Sequence, residues 1–217
     1  DVGTAPETFT IPAKAVSGTF VFTAAAEVSE GTVTASAGGG SASATVKVSD
    51  VSSATLDVSK YTIKQAEAAI TFTIPAGTVI PGGGYVVISR DSDQAAFESH
   101  WGVTFGPEVV FINGKKAGKE FPSINGDETY ALFDAAGAPL DGPTVALSTS
   151  KSVYARVIPL GAADAEPSWT NATATPGSGQ PIPATPNGLY ISEFADSAGT
   201  GNFVYEFIEL HFDGPKP

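Results

Sequence analysis

Hydrophobic and small polar residues alternate along most of the chain, in short runs that end at glycine, proline, serine or asparagine. The first fifty residues contain the runs ETFTIPA, GTFVFTAAAEV, GTVTASA and SASATVKVSD. Threonine, valine and phenylalanine at alternate positions favour strands, and regularly spaced turn residues are typical of sheet proteins. This pattern therefore predicts a β unit over residues 1–50. A full seven-stranded sandwich needs about 100 residues, so we expect this unit to be partial.

From Ser53 the apolar runs become longer and more aromatic, which predicts a second β unit over residues 53–169. Four runs stand out, in this order: LDVSKYTI at 56–63, IPGGGYVVIS at 80–89, GDETYALFDAAGAPLD at 126–141 and SWTNATATPG at 168–177. Only residues 93–101 predict a helical turn, because they lack β-branched side chains and Asp93 is a suitable N-cap. We expect one helical turn there and strands or turns elsewhere.

A proline-, glycine- and threonine-rich arm at residues 170–188 leads to a C-terminal segment, residues 189–217, which has the pattern of a hairpin. The runs LYISEFADS and FVYEFIELHF flank the turn-forming AGTGN. An isolated hairpin is marginally stable and a long apolar edge promotes aggregation, so this hairpin must dock. The expected insertion residues are Ile191, Phe194, Phe203, Tyr205, Phe207, Ile208, Leu210 and Phe212.

The four runs together resemble the bacterial lamin-tail domain, an immunoglobulin-like β-sandwich found in secreted and surface proteins. In that family an opening hairpin of the type ISE…EFIEL precedes the first of these runs, whereas here it stands at the C-terminus. Residues 1–50 resemble the second half of a bacterial immunoglobulin-like repeat. The resemblance implies an all-β protein of two immunoglobulin-like units and a cleft that lacks its hairpin. The expected cleft residues are Leu56, Val58, Tyr61, Ile63, Tyr85 and Val87.

Three arrangements of the hairpin remain open. It can fold back on its own chain, which gives a circularly permuted domain, or insert into the next molecule and build a filament. Alternatively the chain is a slice of a longer tandem array. We expect a non-enzymatic filament or surface-layer subunit whose partners are copies of itself. The alternative is an adhesion or carbohydrate-binding module that recognises surface glycans.

The composition limits the kinds of partner and the cellular location that we expect for this protein. The formal net charge of −12 repels nucleic acid, and the chain has no cysteine and hence no thiol chemistry. No apolar run approaches the roughly 18 residues that a membrane span needs. The missing start methionine at Asp1 predicts a processed or trimmed terminus, consistent with export. We expect a secreted protein, extracellular or on the cell surface, without cofactors.

Catalytic and metal sites are not indicated by the polar residues. Ser99 directly precedes His100, but neighbours in sequence do not make a triad, and no nucleophile elbow surrounds them. Asp91 and Asp93 resemble the opening of a calcium loop but lack its glycine and closing glutamate. We expect no catalytic residue and no metal ligand. Asn171 begins an Asn-Ala-Thr glycosylation pattern.

The hairpin itself carries four acidic residues: Glu193, Asp196, Glu206 and Glu209. Glu206 and Glu209 differ in parity along the strand, so we expect them to face opposite ways. A metal shared between them is therefore not expected. Because a buried carboxylate needs a partner, we expect one of them to bond to a group in the cleft.

Overall fold

The chain divides into two compact units, Asp1–Asp50 and Val51–Pro217. The computed structural model describes residues 3–4, 23–24, 29–37, 40–48, 54–66, 69–117, 121–124, 126, 128–146, 153–180 and 187–214. These residues form β-strands, one short α-helix and two 3-10 turns, so the predicted all-β class is confirmed. The finer assignment to immunoglobulin-like units stays a prediction.

The described residues of the first unit form two antiparallel strand pairs. Its strands are β1 (Gly3–Thr4), β2 (Thr23–Ala24), β3 (Ser29–Ala37) and β4 (Gly40–Val48). Strand β1 pairs with β2, and β3 pairs with β4 over nine residues. The Thr34 and Ser43 hydroxyls hydrogen-bond across the second pair at 2.7 Å. The runs GTVTASA and SASATVKV thus form strands, as the alternation predicts.

The second unit forms three sheets from the residues that the structure describes. Its strands are β5 (Thr55–Asp57), β6 (Thr62–Gln65), β7 (Ile70–Thr73), β8 (Val79–Pro81), β9 (Gly84–Ser89), β10 (Val109–Asn113), β11 (Tyr130–Phe133), β12 (Pro139–Asp141), β13 (Val153–Arg156), β14 (Trp169–Asn171), β15 (Leu189–Ala195) and β16 (Phe207–Phe212). One sheet has the order β10-β9-β16-β15-β13-β14, a second has the order β12-β11-β6-β7, and β5 pairs with β8. The β9–β10 pair is parallel, and the other described pairs are antiparallel.

The main core lies between the six-stranded and the four-stranded sheet. Its buried side chains come from both sheets, which face each other as two layers. Ile63, Phe72 and Leu132 come from the four-stranded sheet, and Ile88 and Ile208 come from the six-stranded sheet. Alternate positions on β9 and β16 point to the opposite face, where a second, smaller cluster includes Val87, Phe97 and Phe207. The six-stranded sheet is therefore covered on both faces.

The single described α-helix, α1 (Gln94–Trp101), covers part of this outer face. The helix lies where the sequence predicts it, with Asp93 at the N-cap position. The Asp93 side chain makes no cap hydrogen bond and pairs with Lys116 instead. Gly102 ends the helix at φ 70°, a left-handed conformation that glycine adopts without strain. In the described part of the chain no helix is long and apolar enough to cross a membrane.

The second strand of the hairpin is shorter than the apolar pattern suggests. It begins at Phe207, and Asn202–Tyr205 forms a 3-10 turn after Gly201 at φ 83°. The carbonyl of Tyr205 accepts a hydrogen bond from the Trp101 indole at 3.0 Å. The Glu206 amide bonds back to the Phe203 carbonyl within the turn, and the regular strand pairing starts at Phe207.

Candidate functional site

The hairpin formed by β15 and β16 occupies the two central positions of the six-stranded sheet. Strand β16 pairs with β9 over six residues, from Phe207 opposite Ser89 to Phe212 opposite Gly84. On the other side β15 pairs with β13 over three residues. Both outer edges of the hairpin are therefore hydrogen-bonded to the same chain. We call the edges of β9 and β13 that receive it the hairpin seat.

The inner face of the hairpin is apolar and completes the main core. The predicted insertion residues on this face are fully buried: Ile191, Phe194, Ile208, Leu210 and Phe212. The Phe194 ring meets those of Tyr130, Tyr154 and Trp169 at centroid distances of 5.3, 5.8 and 5.0 Å. Aromatic rings of three other strands thus meet on one side chain, which makes Phe194 the central anchor of the hairpin.

The other three predicted insertion residues lie elsewhere. Phe207 is buried on the outer face, where its ring meets Phe97 edge-on at 5.5 Å. Tyr205 stacks on the His100 ring at 4.0 Å. Phe203 lies in the 3-10 turn and is 51% exposed. Phe203 therefore does not enter the core, because it lies in the turn that precedes the pairing of β16 with β9.

The predicted cleft residues divide between two layers. Tyr85 and Val87 lie on β9 directly opposite His211 and Glu209, so they belong to the seat itself. Val58 and Ile63 are fully buried in the main core, with Leu56 and Tyr61 partly buried against it. Those four residues face the hairpin across the core rather than along a hydrogen-bonded edge, because β16 pairs with β9.

The outer face of the hairpin carries two buried carboxylates. Glu193 and Glu209 are directly opposite on β15 and β16, and both are inaccessible to solvent. Glu193 accepts hydrogen bonds from the Thr175 amide at 3.0 Å and hydroxyl at 2.9 Å. Glu209 accepts one from the Gly177 amide at 2.6 Å and lies 2.6 Å from the Ser192 hydroxyl. Residues 172–180, which we call the docked arm, thus cover this face of the hairpin.

Burial sets the charge state of these carboxylates. It raises the pKa of Glu193 to about 7, although the Thr175 hydrogen bonds act the other way. It also raises the pKa of Glu209 well above its ordinary value, and the neighbouring Glu193 adds to the shift. Two carboxylates side by side in an apolar setting cannot both ionise easily.

A ring cluster continues this face toward the open end of the hairpin. His211 stacks on Tyr85 at 4.3 Å and meets Tyr190 edge-on at 5.6 Å. Its Nδ1 lies 3.1 Å from the Gly84 carbonyl, which can only accept, so Nδ1 carries the proton. Among the described residues, neither its Nε2 nor the Tyr190 hydroxyl has a hydrogen-bond partner. Burial lowers the pKa of His211 to about 4, so the ring is neutral at pH 7.

The turn end of the hairpin is held by an ion pair. Glu206 Oε2 lies 2.7 Å from Arg90 Nη1, at the end of β9, and accepts the Ile124 amide at 3.3 Å. A carboxylate of the hairpin therefore bonds to the seat, as expected from its burial. Burial raises the pKa of Glu206, and the hydrogen bond and charge of Arg90 act in the opposite direction. Glu206 and Glu209 contact different parts of the chain, as their parity predicts.

The open end of the hairpin is closed by Asp213, which the sequence did not single out. Its carboxylate accepts hydrogen bonds from the amides of Asn187 and Gly188 at 2.7 and 2.8 Å, and from the Asn187 side chain at 2.7 Å. These bonds span 25 and 26 residues. Only the register of β15 and β16 brings these residues together, so no local sequence signal marks them.

The remaining candidates from the sequence are dispersed. His100 Nε2 lies 2.8 Å from the Ser197 hydroxyl in the hairpin. Asp91 pairs with Lys115 at 2.7 Å, and Asn171 is exposed at the end of β14. Among the described residues no group of three histidine, aspartate or glutamate side chains is placed to hold a metal ion.

Comparisons with protein-family models, with curated proteins and with solved structures found no match.

Proposed function

We propose that this protein is a non-enzymatic structural protein of the cell exterior, which assembles with copies of itself by exchanging the C-terminal hairpin. One observation carries the proposal: a contiguous C-terminal segment supplies the two central strands of the main sheet. A chain whose hairpin is elsewhere has open edges on β9 and β13 and an incomplete core. Such edges pair with any strand of matching register and side chains.

The hairpin of a second copy fits the hairpin seat because its sequence is the same as that of the chain's own hairpin. Each bond from β16 to β9, and each packing contact of Phe194, can be made by the same residues of a neighbour. Donor and acceptor are different surfaces of the molecule, so this contact is head-to-tail. A head-to-tail contact that does not close into a ring propagates as a filament. The lamin-tail resemblance, with its displaced hairpin, supports the same proposal.

Concentration decides between the closed and the exchanged form. In the structure each chain fills its own seat, which avoids the roughly 4–15 kcal/mol that association costs. Exchange keeps the same contacts, so it becomes favourable when neighbours are concentrated or held on a surface. Export to the cell surface would supply that condition. The closed chain is then the storage form of the subunit.

A disulfide experiment tests the exchange, because the native chain contains no cysteine. Val86 on β9 and Leu210 on β16 are directly opposite. The Cα atoms of such a pair are about 4.5–5.5 Å apart, within the range that a disulfide spans. The double variant Val86→Cys/Leu210→Cys would be purified reduced, concentrated and then oxidised. Exchange gives a covalent ladder of multiples of 22.0 kDa on a denaturing gel.

A second cysteine pair provides the control. Ile63 and Leu132 are directly opposite on β6 and β11, within the four-stranded sheet. Ile63→Cys/Leu132→Cys must crosslink inside one chain under either arrangement. A ladder from the hairpin pair together with single-chain product from the control supports exchange. Single-chain product from both pairs at every concentration overturns it.

A second candidate function, a closed binding module, is favoured by the surface beside the hairpin turn. A cleft of about 400 Å³ is bounded by Phe203, Arg90, Lys115 and Phe121. The exposed Phe203 ring lies 5.3 Å from the Arg90 guanidinium. An aromatic ring beside charged donors suits a surface glycan. A glycan array probed with the native chain and Phe203→Ala tests it: binding that Phe203→Ala abolishes supports this function, and absence of binding excludes it.

A further inference from the structure

We propose that Glu193 and Glu209 form a pH-sensitive clasp, which holds the docked arm against the hairpin in mild acid and releases it as the pH rises to neutrality. The clasp is a regulatory element of the hairpin site. All its groups belong to one chain, so it operates in the closed protein whether or not chains exchange. We define the clasp as these two carboxylates with their partners Thr175 and Gly177.

The first support is the isolation of the two carboxylates. They are directly opposite on β15 and β16, at the centre of the six-stranded sheet, and neither is accessible to solvent. Neither forms an ion pair among the described residues. Compare Glu206, which lies on the same hairpin but has Arg90 as a partner. A buried carboxylate without a cation is expensive to ionise.

The second support is that the arm supplies almost all the polar contacts of the pair. Two backbone amides and one hydroxyl of the docked arm bond to the carboxylates, and Ser192 supplies the remaining side-chain contact. The arm also packs closely at this point. Gly177 is buried at φ 80°, and a Cβ there would lie 2.8 Å from the Phe105 ring. Lifting the arm would therefore admit water to both carboxylates at once.

The hydrogen bonds of Glu209 fit the neutral acid. The Ser192 hydroxyl can donate to the Glu209 main-chain carbonyl, 3.3 Å away. Its oxygen, 2.6 Å from Oε1, is then free to accept the carboxylic proton. Oε2 accepts the Gly177 amide in either state. Glu209 thus has a proton acceptor in place, whereas Glu193 meets two donors, the Thr175 amide and hydroxyl, and is the member of the pair that ionises.

Within the described part of the chain, the titratable groups around the pair do not supply a compensating charge. The docked arm contributes none, since residues 172–180 contain no acidic or basic side chain. Strand β9 contributes Tyr85, whose pKa burial raises to about 12, and the hairpin contributes Tyr190, whose pKa burial raises further. His211 is neutral above a pKa of about 4. Glu108, near Tyr85, adds negative charge. Arg156, whose charge acts on Tyr190, is itself paired with Asp141.

The direction of the pH effect follows from proton linkage. The closed clasp holds the Glu193 proton up to a pKa of about 7, and once the arm lifts the exposed carboxyl titrates at about 4.5. The closed form therefore binds more protons between these values. The stability that Glu193 contributes to the closed form is fully present below about pH 4.5 and is lost as the pH rises to about 7. The opening equilibrium should rise by up to roughly tenfold per pH unit across this window.

Two measurements on the native chain test the clasp. Carbon-13 NMR of the glutamate side chains should show a carboxyl titrating near pH 7, which Glu193→Gln removes. Amide hydrogen exchange at Thr175 and Gly177, corrected for the intrinsic rate, should lose protection by up to roughly tenfold per pH unit between about pH 4.5 and 7. In Glu193→Gln the same amides should show no such loss.

Matched variants complete the test. Glu209→Gln imitates the neutral acid and should keep most of the pH dependence, whereas Glu166→Gln, at an exposed site, should change nothing. Gly177→Ala should lower protection at Thr175 at every pH, because the added Cβ collides with Phe105. A Glu193 carboxyl that titrates near 4.5 in the native chain overturns the proposal. Protection that does not vary with pH in the native chain also overturns it.

Discussion

Arg90 and Glu206 join the end of β9 to the turn of the C-terminal hairpin through an ion pair of 2.7 Å. The carboxylate is almost fully buried, whereas 30% of the arginine side chain remains exposed. Two backbone bonds reinforce the junction, from the Arg90 amide to the Glu206 carbonyl and from the Asp91 amide to the Val204 carbonyl. The turn end of the hairpin is therefore tied to its seat by both main chain and side chain.

The two partners of this ion pair should respond unequally to removal. Arg90→Ala leaves Glu206 buried without its cation and should lower the free energy of unfolding by about 2–4 kcal/mol. Glu206→Gln should cost less, because the partly exposed Arg90 can be hydrated. Urea unfolding of both variants checks this order. Lys115→Ala removes the more exposed pair with Asp91 and should stay within about 0.5 kcal/mol of the native chain. Equal losses for Arg90→Ala and Glu206→Gln would contradict the prediction.

Two phenylalanines of the same hairpin should differ widely in their contribution to stability. Phe194 is fully buried among three aromatic rings, so Phe194→Ala should cost about 3–5 kcal/mol. Phe203 is half exposed in the 3-10 turn, so Phe203→Ala should cost about 0.5 kcal/mol or less. Thermal unfolding of the two variants in parallel measures the difference. A large loss of stability from Phe203→Ala would contradict the prediction, because it would mean that the Phe203 side chain is buried in the folded protein.

Asp213 should contribute more to the free energy of unfolding than an aspartate with similar hydrogen bonds in an exposed turn. Asp213→Ala leaves the buried Gly188 amide without an acceptor, at a cost of about 1–3 kcal/mol. Asp134 accepts the amides of Ala136 and Ala138 in an exposed turn. Water can replace it there, so Asp134→Ala should cost less than about 1 kcal/mol. Hydrogen exchange should also show lost protection at Gly188 only in the first variant. The prediction fails if both aspartates prove equivalent.

The all-β class and the helix at Gln94–Trp101 could be predicted because they depend on local patterns. Alternation and turn residues mark the strands, and a stretch without β-branched residues marks the helix. Parity also predicts that Glu206 and Glu209 face opposite ways, and the two carboxylates contact different residues, Arg90 and Gly177 respectively. The burial of Phe194 likewise follows from an apolar pattern that must find a core.

The rest depends on contacts between distant parts of the chain. Propensity favours a strand at Phe203–Tyr205, but the Trp101 indole captures the Tyr205 carbonyl from another element. The pairing of Glu193 with Glu209 depends on the register shift at Ser192, and strict alternation does not predict a bulge. The docked arm lies over these residues, although its composition predicts only an extended connection. The side chains that give the site its chemistry are thus the least predictable.

His211 and Glu193 should affect the pH dependence of unfolding in opposite directions. Burial lowers the pKa of His211 from 6.5 to about 4, so between these values the unfolded chain binds more protons. The stability that His211 contributes is therefore lost as the pH falls from about 6.5 to 4, by up to about 1.4 kcal/mol per pH unit. Glu193, with its raised pKa, loses its contribution as the pH rises from about 4.5 to 7.

Comparison of each variant with the native chain separates the two effects. His211→Asn keeps a donor toward the Gly84 carbonyl but cannot titrate, so its stability relative to the native chain should improve as the pH falls below 6.5. Glu193→Gln should improve relative to the native chain as the pH rises above 4.5. Urea unfolding at half-unit steps from pH 4 to 8 gives both differences. A difference that does not vary with pH in either variant would mean that water reaches that side chain in the folded protein.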